Sequence, residues 1–305
     1  MAEGSTLTAQ IAESVVEMVT TTLELIPHKA VMPNLAVRKT IAKGHDRIEI
    51  PRVNSVSAVQ NPTEGDELVV SSQFDLTSTT IQPTHRAIMV RVHERATYFS
   101  KDDVIALVSE EMAQTEAQDM DTDLLAEFAN FTGFSASTAG IGGGTTVNLV
   151  YSDLRASRRI LLSNTRANGG PAPGRIYVVL GPVQEEDLFT DLGALGVAGV
   201  TITNAVQAIP AGLSQEILLN YHIPQNVLAG MTLFRDGYMP EDANGDSTIG
   251  IFAEKVLYLA VAKDWDMKVF EVPNWLGVIL RATADYNSGI GGYPRHGGSI
   301  LVDGA

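Results

Sequence analysis

Two segments of this chain have residue types that could bind a ligand. The glycine-rich run 140–144 and Thr145 could cradle a phosphate, but a P-loop ends in Gly-Lys-Ser/Thr and no lysine follows here. A dinucleotide-binding loop follows a strand, whereas this run follows a predicted helix, so we interpret it as a connector. The acidic segment 242–246 resembles the start of a calcium loop, but Ser247 and Ala253 replace its glycine and its bidentate glutamate. We therefore predict an acidic surface turn there.

No arrangement of side chains in the sequence is typical of a catalytic centre. The six histidines lack the spacing of a zinc protease, the serine-hydrolase motif Gly-x-Ser-x-Gly is absent, and there is no cysteine. The adjacent carboxylates Glu110-Glu111 and Glu185-Glu186 diverge on a helix and are predicted to be solvated. The sequence therefore predicts no enzymatic activity, no cofactor and no metal.

The composition is that of a globular, acidic protein. Hydrophobic residues make up 45% and charged residues 19%, and the formal net charge is −15. Because phosphate binding depends on clustered lysine and arginine, such a chain is a poor candidate for wrapping nucleic acid. No apolar stretch reaches the roughly 18 residues of a membrane span, and the N-terminus lacks signal-peptide features. Neither a membrane span nor secretion is predicted.

The elements that hold these segments alternate between helical and strand-like patterns. Apolar residues recur at three- and four-residue steps over 6–26, which predicts a helix that Pro27 ends. Segments rich in β-branched residues between Arg47 and Phe99 predict a long hairpin, with its tip at 61–67, and a further strand. Beyond the connector, helix, strand and helix patterns predict an α/β unit, and strands and a helix follow from about residue 249.

The longest helical pattern covers residues 100–132. Ser100 and Asp103 match the start of a capping box, and Gly133 stands where a C-terminal cap would be. At about 1.5 Å per residue the helix would be roughly 45 Å long, and we predict that it is a structural spine. Its predicted apolar face consists of Val104, Val108, Met112, Ala117, Met120, Leu124, Phe128 and Phe131.

The order of these elements resembles, over nearly the whole chain, the major capsid proteins of tailed bacteriophages with the Hong Kong 97-type fold. The segments that carry the resemblance are GHDRIEIPRV, NPTEGDELVVSSQFDLTSTTIQ, RAIMVRVHERATYFS, PAPGRIYVVLGPVQEEDL and FAEKVLYLAVAKDW. The resemblance implies an α+β fold with an N-terminal arm, an extended β-hairpin loop, a peripheral domain with a long spine helix, and an α/β axial domain. The implied divisions are 1–46 (arm), 47–82 (extended loop), 83–150 (peripheral domain with spine helix 100–132), 151–245 (axial domain) and 246–305 (C-terminal return to the peripheral domain).

The function that the resemblance implies is structural. Hexamers and pentamers of the chain would form an icosahedral head shell that encloses double-stranded DNA without sequence-specific binding and without a membrane. The implied partners are further copies, a separate scaffolding protein, a portal and decoration proteins, and the implied location is the virion, after assembly in the host cytoplasm. Some relatives cross-link through a lysine on the extended loop, but no lysine occurs between Lys43 and Lys101.

Charged residues of the predicted hairpin are candidate contacts between subunits. The tip of a long hairpin lies far from its base, since each strand residue adds about 3.3 Å, so acids at the tip would find their cationic partners on a neighbouring subunit. Alternatively, the arginines of the following strand form an ordinary exposed strand face. The candidate contacts are Glu64, Asp66, Glu67, Arg86, Arg91 and Arg95.

Two other functions stay open at this point. One is the shell protein of an encapsulin-like nanocompartment, which shares this fold and encloses cargo enzymes. The more distant one is an α/β enzyme of an unrecognised family, which would need a cluster of polar residues around 180–245.

Overall fold

A computed structural model of the chain shows two compact units. It describes residues 30–53, 76–93, 104–135, 138, 140–144, 147–165, 169–196, 227–242, 245–272 and 277–303. Unit 1 is drawn from Met1–Ile48, Ile81–Leu124 and Tyr258–Gly289. Unit 2 is drawn from Glu49–Thr80, Leu125–Leu257 and Ile290–Ala305. The predicted helix over 6–26 lies outside the described residues.

The described residues of unit 1 include a four-stranded sheet and a long helix, α1 (Val104–Ala126). The strands are β1 (Val37–Thr40), β9 (Leu257–Val272), β10 (Gly277–Ile290) and β4 (Thr84–His93), in that order across the sheet. β1 is parallel to β9, and β4 is antiparallel to β10. The helix buries Met112 among apolar side chains of the sheet, and this core cluster contains Val92, Met267, Leu280 and Ala282.

The spine helix is confirmed, whereas its predicted C-cap is wrong. The 23 residues of α1 span about 34 Å, a 3-10 turn follows at Glu127–Asn130, and residues 100–103 lie outside the described ranges. Gly133 does not adopt the left-handed conformation of a C-cap. A Cβ atom there would lie 2.5 Å from the carbonyl oxygen of Gly297, so this glycine instead permits a close approach of the two chain segments at residues 133 and 297. Members of the predicted apolar face that are buried include Met112, Ala117, Leu124, Phe128 and Phe131.

Unit 2 contains the α/β arrangement predicted for the middle of the chain. Its five-stranded sheet has the order β11 (Gly297–Val302), β8 (Ser247–Ala253), β5 (Ile176–Leu180), β7 (Met231–Arg235) and β6 (Val227–Leu228). β5 and β7 are parallel, and the other pairs are antiparallel. Among the described residues, helix α2 (Tyr151–Leu162) buries Leu154 and Leu161, and helix α3 (Pro182–Gly196) buries Leu188 and Leu192.

Three phenylalanines after α1 pack directly onto glycines of the unit 2 sheet. A Cβ atom added at Gly250, Gly297 or Gly298 would lie within 2.7 Å of the ring of Phe128, Phe131 or Phe134, respectively. The rings of Phe128 and Phe131 stack with their centroids 5.6 Å apart. Since the rings occupy the space of the missing side chains, glycine at these strand positions allows the aromatic residues to be buried.

The C-terminal residues supply strands to both units. β9 and β10 belong to unit 1, whereas β8 and β11 belong to unit 2. Residues 30–41, which the sequence assigns to the arm, contribute β1 and a 3-10 turn (Met32–Asn34) to unit 1. The peripheral domain, the axial domain and their boundaries stay predictions.

Candidate functional surfaces

The base of the predicted extended loop is a two-stranded sheet. β2 (Ile48–Val53) and β3 (Leu76–Ile81) pair with each other in a sheet separate from the two described above. The guanidinium carbon of Arg52 on β2 lies 5.6 Å from the ring centroid of Tyr293, which links this sheet to the C-terminal part of unit 2. Residues 54–75, which include Glu64, Asp66 and Glu67, lie outside the described residues. The described part of the predicted loop is therefore a pair of neighbouring strands.

Arg86, one of the candidate contacts, is engaged within its own chain. Its guanidinium lies 2.5 Å from a carboxylate oxygen of Asp123 and 3.5 Å from one of Asp119, both on α1. The hydroxyl of Tyr286 donates to Asp119 at 2.5 Å, and the Arg86 guanidinium lies 5.7 Å from the Tyr286 ring centroid. Burial alone would lower the pKa of Arg86, but Asp123 and Asp119 raise it above its ordinary value. This cluster joins β4 and β10 to the spine helix.

The structure shows less about the other two candidate arginines, Arg91 and Arg95. Arg91 is exposed on β4, where it lies opposite Ile279 of β10. Its side chain is not free, since it interacts with another group of the protein. Arg95 lies outside the described residues. Pairing of the six candidate residues between subunits stays a prediction. The sequence contains a signal for the pairing of Arg86, because Asp119 and Asp123 are four residues apart and therefore share one face of the predicted helix.

A buried carboxylate on the spine helix binds backbone groups of the predicted arm. Asp121 is fully buried, and its two carboxylate oxygens accept hydrogen bonds from the backbone N–H groups of Met32 (2.8 Å) and Val31 (3.2 Å). A few residues later, β1 adds to the edge of the unit 1 sheet beside β9. Residues 31 and 32 are therefore attached to α1 near its C-terminal end.

A second buried carboxylate, Glu116, has no hydrogen-bond partner. Its side chain is 1% exposed, and neither carboxylate oxygen accepts a hydrogen bond from a described residue. Burial raises the pKa of Glu116 to about 7, because a charge without partners is disfavoured in an apolar environment. No pattern in the sequence indicates this group, because a glutamate in a helix is normally solvated.

Backbone groups of the two segments that could have bound ligands are hydrogen-bonded within the chain. The N–H of Gly142 in the glycine-rich run donates to a carboxylate oxygen of Asp153 at 2.7 Å, so an anion of the protein already occupies this amide. In the acidic turn, the N–H of Asp246 donates to the Asp242 carboxylate at 3.0 Å, and the N–H of Asp242 donates to the Asp246 carbonyl at 2.7 Å. The predicted turn is thus confirmed, but it is not wholly at the surface, because Asp246 is buried and its carboxylate oxygens accept no hydrogen bond from a described residue. Within the described ranges, no three histidine or acidic side chains are grouped so that they could hold a metal.

Unit 1 leaves large apolar side chains exposed. Met89 on β4, Leu107 on α1 and Phe270 on β9 each expose close to half of their surface or more. Single exposed apolar residues are common on protein surfaces, and only a contiguous apolar patch marks a surface that contacts another molecule, so these three residues alone define no interface. No helix in the described ranges is both long enough and apolar enough to cross a membrane.

The chain is similar to known proteins over most of its length. A family model for phage capsid protein matches residues 77–291. The mature capsid of bacteriophage PhiM1 has a TM-score of 0.61 at 14% identity, with 90% of this chain and 87% of that chain covered. The structure from Mycobacterium phage Che8 has a TM-score of 0.61 at 14% identity, with 88% of this chain and 90% of that chain covered. A virus-like particle from Pyrococcus furiosus has a TM-score of 0.54 at 12% identity, with 93% of this chain and 98% of that chain covered. No curated protein sequence matches.

Proposed function

The chain belongs to the phage capsid protein family, and from this membership we propose that it is the major capsid protein of a tailed bacteriophage. Its fold is the α+β capsid fold of Hong Kong 97 type, as the sequence predicted. Copies of the chain self-assemble as hexamers and pentamers into an icosahedral head shell around a double-stranded DNA genome. The chain acts as a structural subunit in the virion and has no catalytic role.

The observation that carries this proposal is the extent of the family match. Residues 77–291 run from β3 through β10, so the match includes strands and helices of both units. The fold of solved phage capsids covers 88–90% of the chain. A domain shared by chance with an enzyme would match only one of the two units.

The finer parts of the proposal concern contacts and partners. The two-stranded sheet at 48–53 and 76–81 supports an extended loop that reaches a neighbouring subunit, and the attachment at Asp121 supports an arm that starts from the spine. A separate scaffolding protein, a portal and decoration proteins complete the proposed set of partners, and assembly takes place in the host cytoplasm. DNA is enclosed without sequence-specific binding, in keeping with the net charge of −15.

The nanocompartment alternative has less support. The family model is that of phage capsid proteins, and the virus-like particle from Pyrococcus furiosus has a TM-score of 0.54, against 0.61 for the two phage capsids. The contents of purified particles separate the two functions. A phage shell contains DNA when it is made during infection, whereas a nanocompartment contains a cargo protein.

Electron microscopy of the purified protein tests the proposal. We expect hexamers, pentamers, shells or tubes, formed by the chain alone or together with a co-expressed scaffolding protein. A variant that lacks residues 1–29 keeps Ala30, Val31 and Met32 at the spine, so it should keep folded units but close fewer shells. A stable monomer at every salt and protein concentration, with and without a scaffold, would contradict the proposal.

The proposed loop contact has its own test. Replacement of Glu64, Asp66 and Glu67 by lysine should leave the circular dichroism spectrum of the subunit unchanged and should weaken or misdirect assembly. Exposed charge pairs contribute about 0–1 kcal/mol each, but a shell repeats the contact at every subunit. Normal yield, size and salt tolerance of the triple variant would show that these acids do not set the contact.

A further inference from the structure

One end of the unit 2 sheet carries unpaired arginines. Arg175 immediately precedes β5, and Arg158 and Arg159 lie in the last turns of α2, all three exposed. They form no ion pair with any carboxylate in the described part of the chain. Glu254, whose N–H donates to the Arg175 carbonyl, also lies at this end, and Lys255 follows it. The end is therefore cationic, although the chain as a whole has a net charge of −15.

These arginines line a groove that also has an apolar part. A hollow of about 1080 Å³ is lined by residues that include Arg155, Arg158 and Arg159, and an adjoining hollow of about 510 Å³ includes Arg175. Arg158 and Leu162 line both hollows, so the two are continuous. Leu162 is 41% exposed, and Val227 in the second hollow is 46% exposed. We call this surface the basic groove.

The opposite end of the same sheet is acidic. β5 ends at Leu180, whose carbonyl accepts the N–H of Asp236, and the strand register places the start of β8 and the end of β11 at this end. α3 also begins here, directly after β5. The carboxylates that these segments bring to this end, which we call the acidic end, are Glu185, Glu186, Asp187, Asp236, Glu241, Asp242, Asp246 and Asp303.

The carboxylates of the acidic end influence one another. Burial raises the pKa of Asp246, and Asp242 and Asp303 raise it further. Burial likewise raises the pKa of Asp187, with further contributions from Asp303 and Glu186. Arg235 is also present but is paired with Glu185. The acidic end therefore carries more carboxylates than the single arginine Arg235 can balance.

The two ends are separated by the length of β5. Five residues at about 3.3 Å each place them roughly 16 Å apart, with opposite charge. In a ring of identical subunits joined head to tail, each copy presents one surface to the preceding copy and a different surface to the next. Two separate surfaces of opposite charge on each copy fit this arrangement. The exposed Leu162 and Val227 favour a protein occupant over nucleic acid, whose phosphates would gain nothing from apolar side chains.

We propose that the acidic end of one copy docks in the basic groove of the next copy, and that this head-to-tail contact closes the rings from which the shell is built. This inference rests on the proposed function and names the surfaces through which unit 2 meets its neighbour. Arg158 and Arg159 form the cationic side, Glu186 and Glu241 form the exposed anionic side, and Leu162 is covered on docking.

Charge reversal on each side tests the contact. R158E/R159E and E186R/E241R should each raise the protein concentration for half-maximal ring formation about tenfold or more, because two charge pairs become repulsive. The variant that combines all four substitutions should regain most of the loss. K268E/R281E is the matched control, since it changes the net charge as R158E/R159E does, but at exposed cations of unit 1 that lie outside the proposed arm and extended loop. Circular dichroism and thermal unfolding of each variant show whether the subunit is folded.

Mixing the two reversed variants gives a second readout that does not depend on the combined variant folding. When the two variants alternate, each acidic groove meets a basic end and each basic groove meets an acidic end, so every contact is attractive. The mixture should therefore form rings with an even number of subunits at concentrations where neither variant alone forms rings. Native mass spectrometry counts the subunits. Half-maximal concentrations unchanged from wild type, or no recovery in both the mixture and the combined variant, would overturn the inference.

Other outcomes separate this inference from the proposed function. If the wild-type chain forms rings but never shells, the proposed function fails and the docking contact stands on the reversal data. If the chain forms shells and all variants assemble as wild type does, only the docking contact fails. Loss of binding to a short DNA duplex by R158E/R159E, with ring formation unchanged, would assign the groove to nucleic acid and would also overturn the contact.

Discussion

Replacement of Glu116 by glutamine should make unit 1 more stable at high pH and leave it unchanged at low pH. The folded chain keeps the Glu116 proton up to about pH 7, whereas the unfolded chain releases it near the ordinary value of 4.5. Between these values the folded state binds more protons, so its free energy of unfolding falls as the pH rises. The difference, at 1.36 kcal/mol per pH unit, amounts to about 3 kcal/mol above pH 7. Glutamine has nearly the same shape and is neutral throughout, so it avoids this loss.

Urea unfolding of unassembled subunits between pH 5 and pH 8 measures the effect. The stability of E116Q relative to wild type should be about 1 kcal/mol at pH 5 and should rise to about 3 kcal/mol at pH 8. E111Q is the matched control, because Glu111 lies on the same helix and is exposed, and it should show no such rise. A difference between E116Q and wild type that does not change with pH would refute the reasoning.

Three further predictions concern the core and the shell. D121A should lower the free energy of unfolding by about 3 kcal/mol in urea, because it leaves the N–H groups of Val31 and Met32 unpaired, and an unchanged midpoint would count against the attachment. G250A should destabilise the subunit by about 1–3 kcal/mol, because a Cβ there would lie 2.5 Å from the Phe128 ring, and the addition of F128L should recover part of the loss. Mature particles boiled in denaturant should release monomers of 32.6 kDa, because the extended loop 47–82 has no lysine, and a ladder of covalent multimers would reveal another cross-link.

The parts of the fold that the sequence predicts correctly are those with a strong local pattern. The three- and four-residue spacing of apolar residues identifies α1, and the buried run at 176–180 identifies β5. The hairpin base is predictable from two β-rich segments and a turn signal between them. In each case residues close together in the chain determine the element.

The parts that sequence reasoning misses depend on residues far apart in the chain. Gly133 is predicted to cap a helix because glycine usually has that role, but its neighbour in space is Gly297. The arginines of β4 are predicted to form an exposed face or to pair with another subunit, yet Arg86 pairs with α1 of its own chain. The burial of Glu116 could not be predicted for the same reason, since it arises only when the helix packs against residues that are distant in the sequence.

The basic groove of unit 2 could be predicted from the sequence more easily than the acidic end. The cluster Arg155, Arg158 and Arg159 is a local pattern on one helix face, whereas the acidic end gathers carboxylates from the regions around 186, 241 and 303. A net charge of −15 therefore does not exclude a strongly cationic surface on the same molecule. Charge pairs at such a contact weaken as salt shortens the screening length, whereas burial of Leu162 and Val227 does not. The docking contact thus implies that salt loosens wild-type rings without dissolving them. In R158E/R159E, where the same pairs repel, salt should instead favour ring formation.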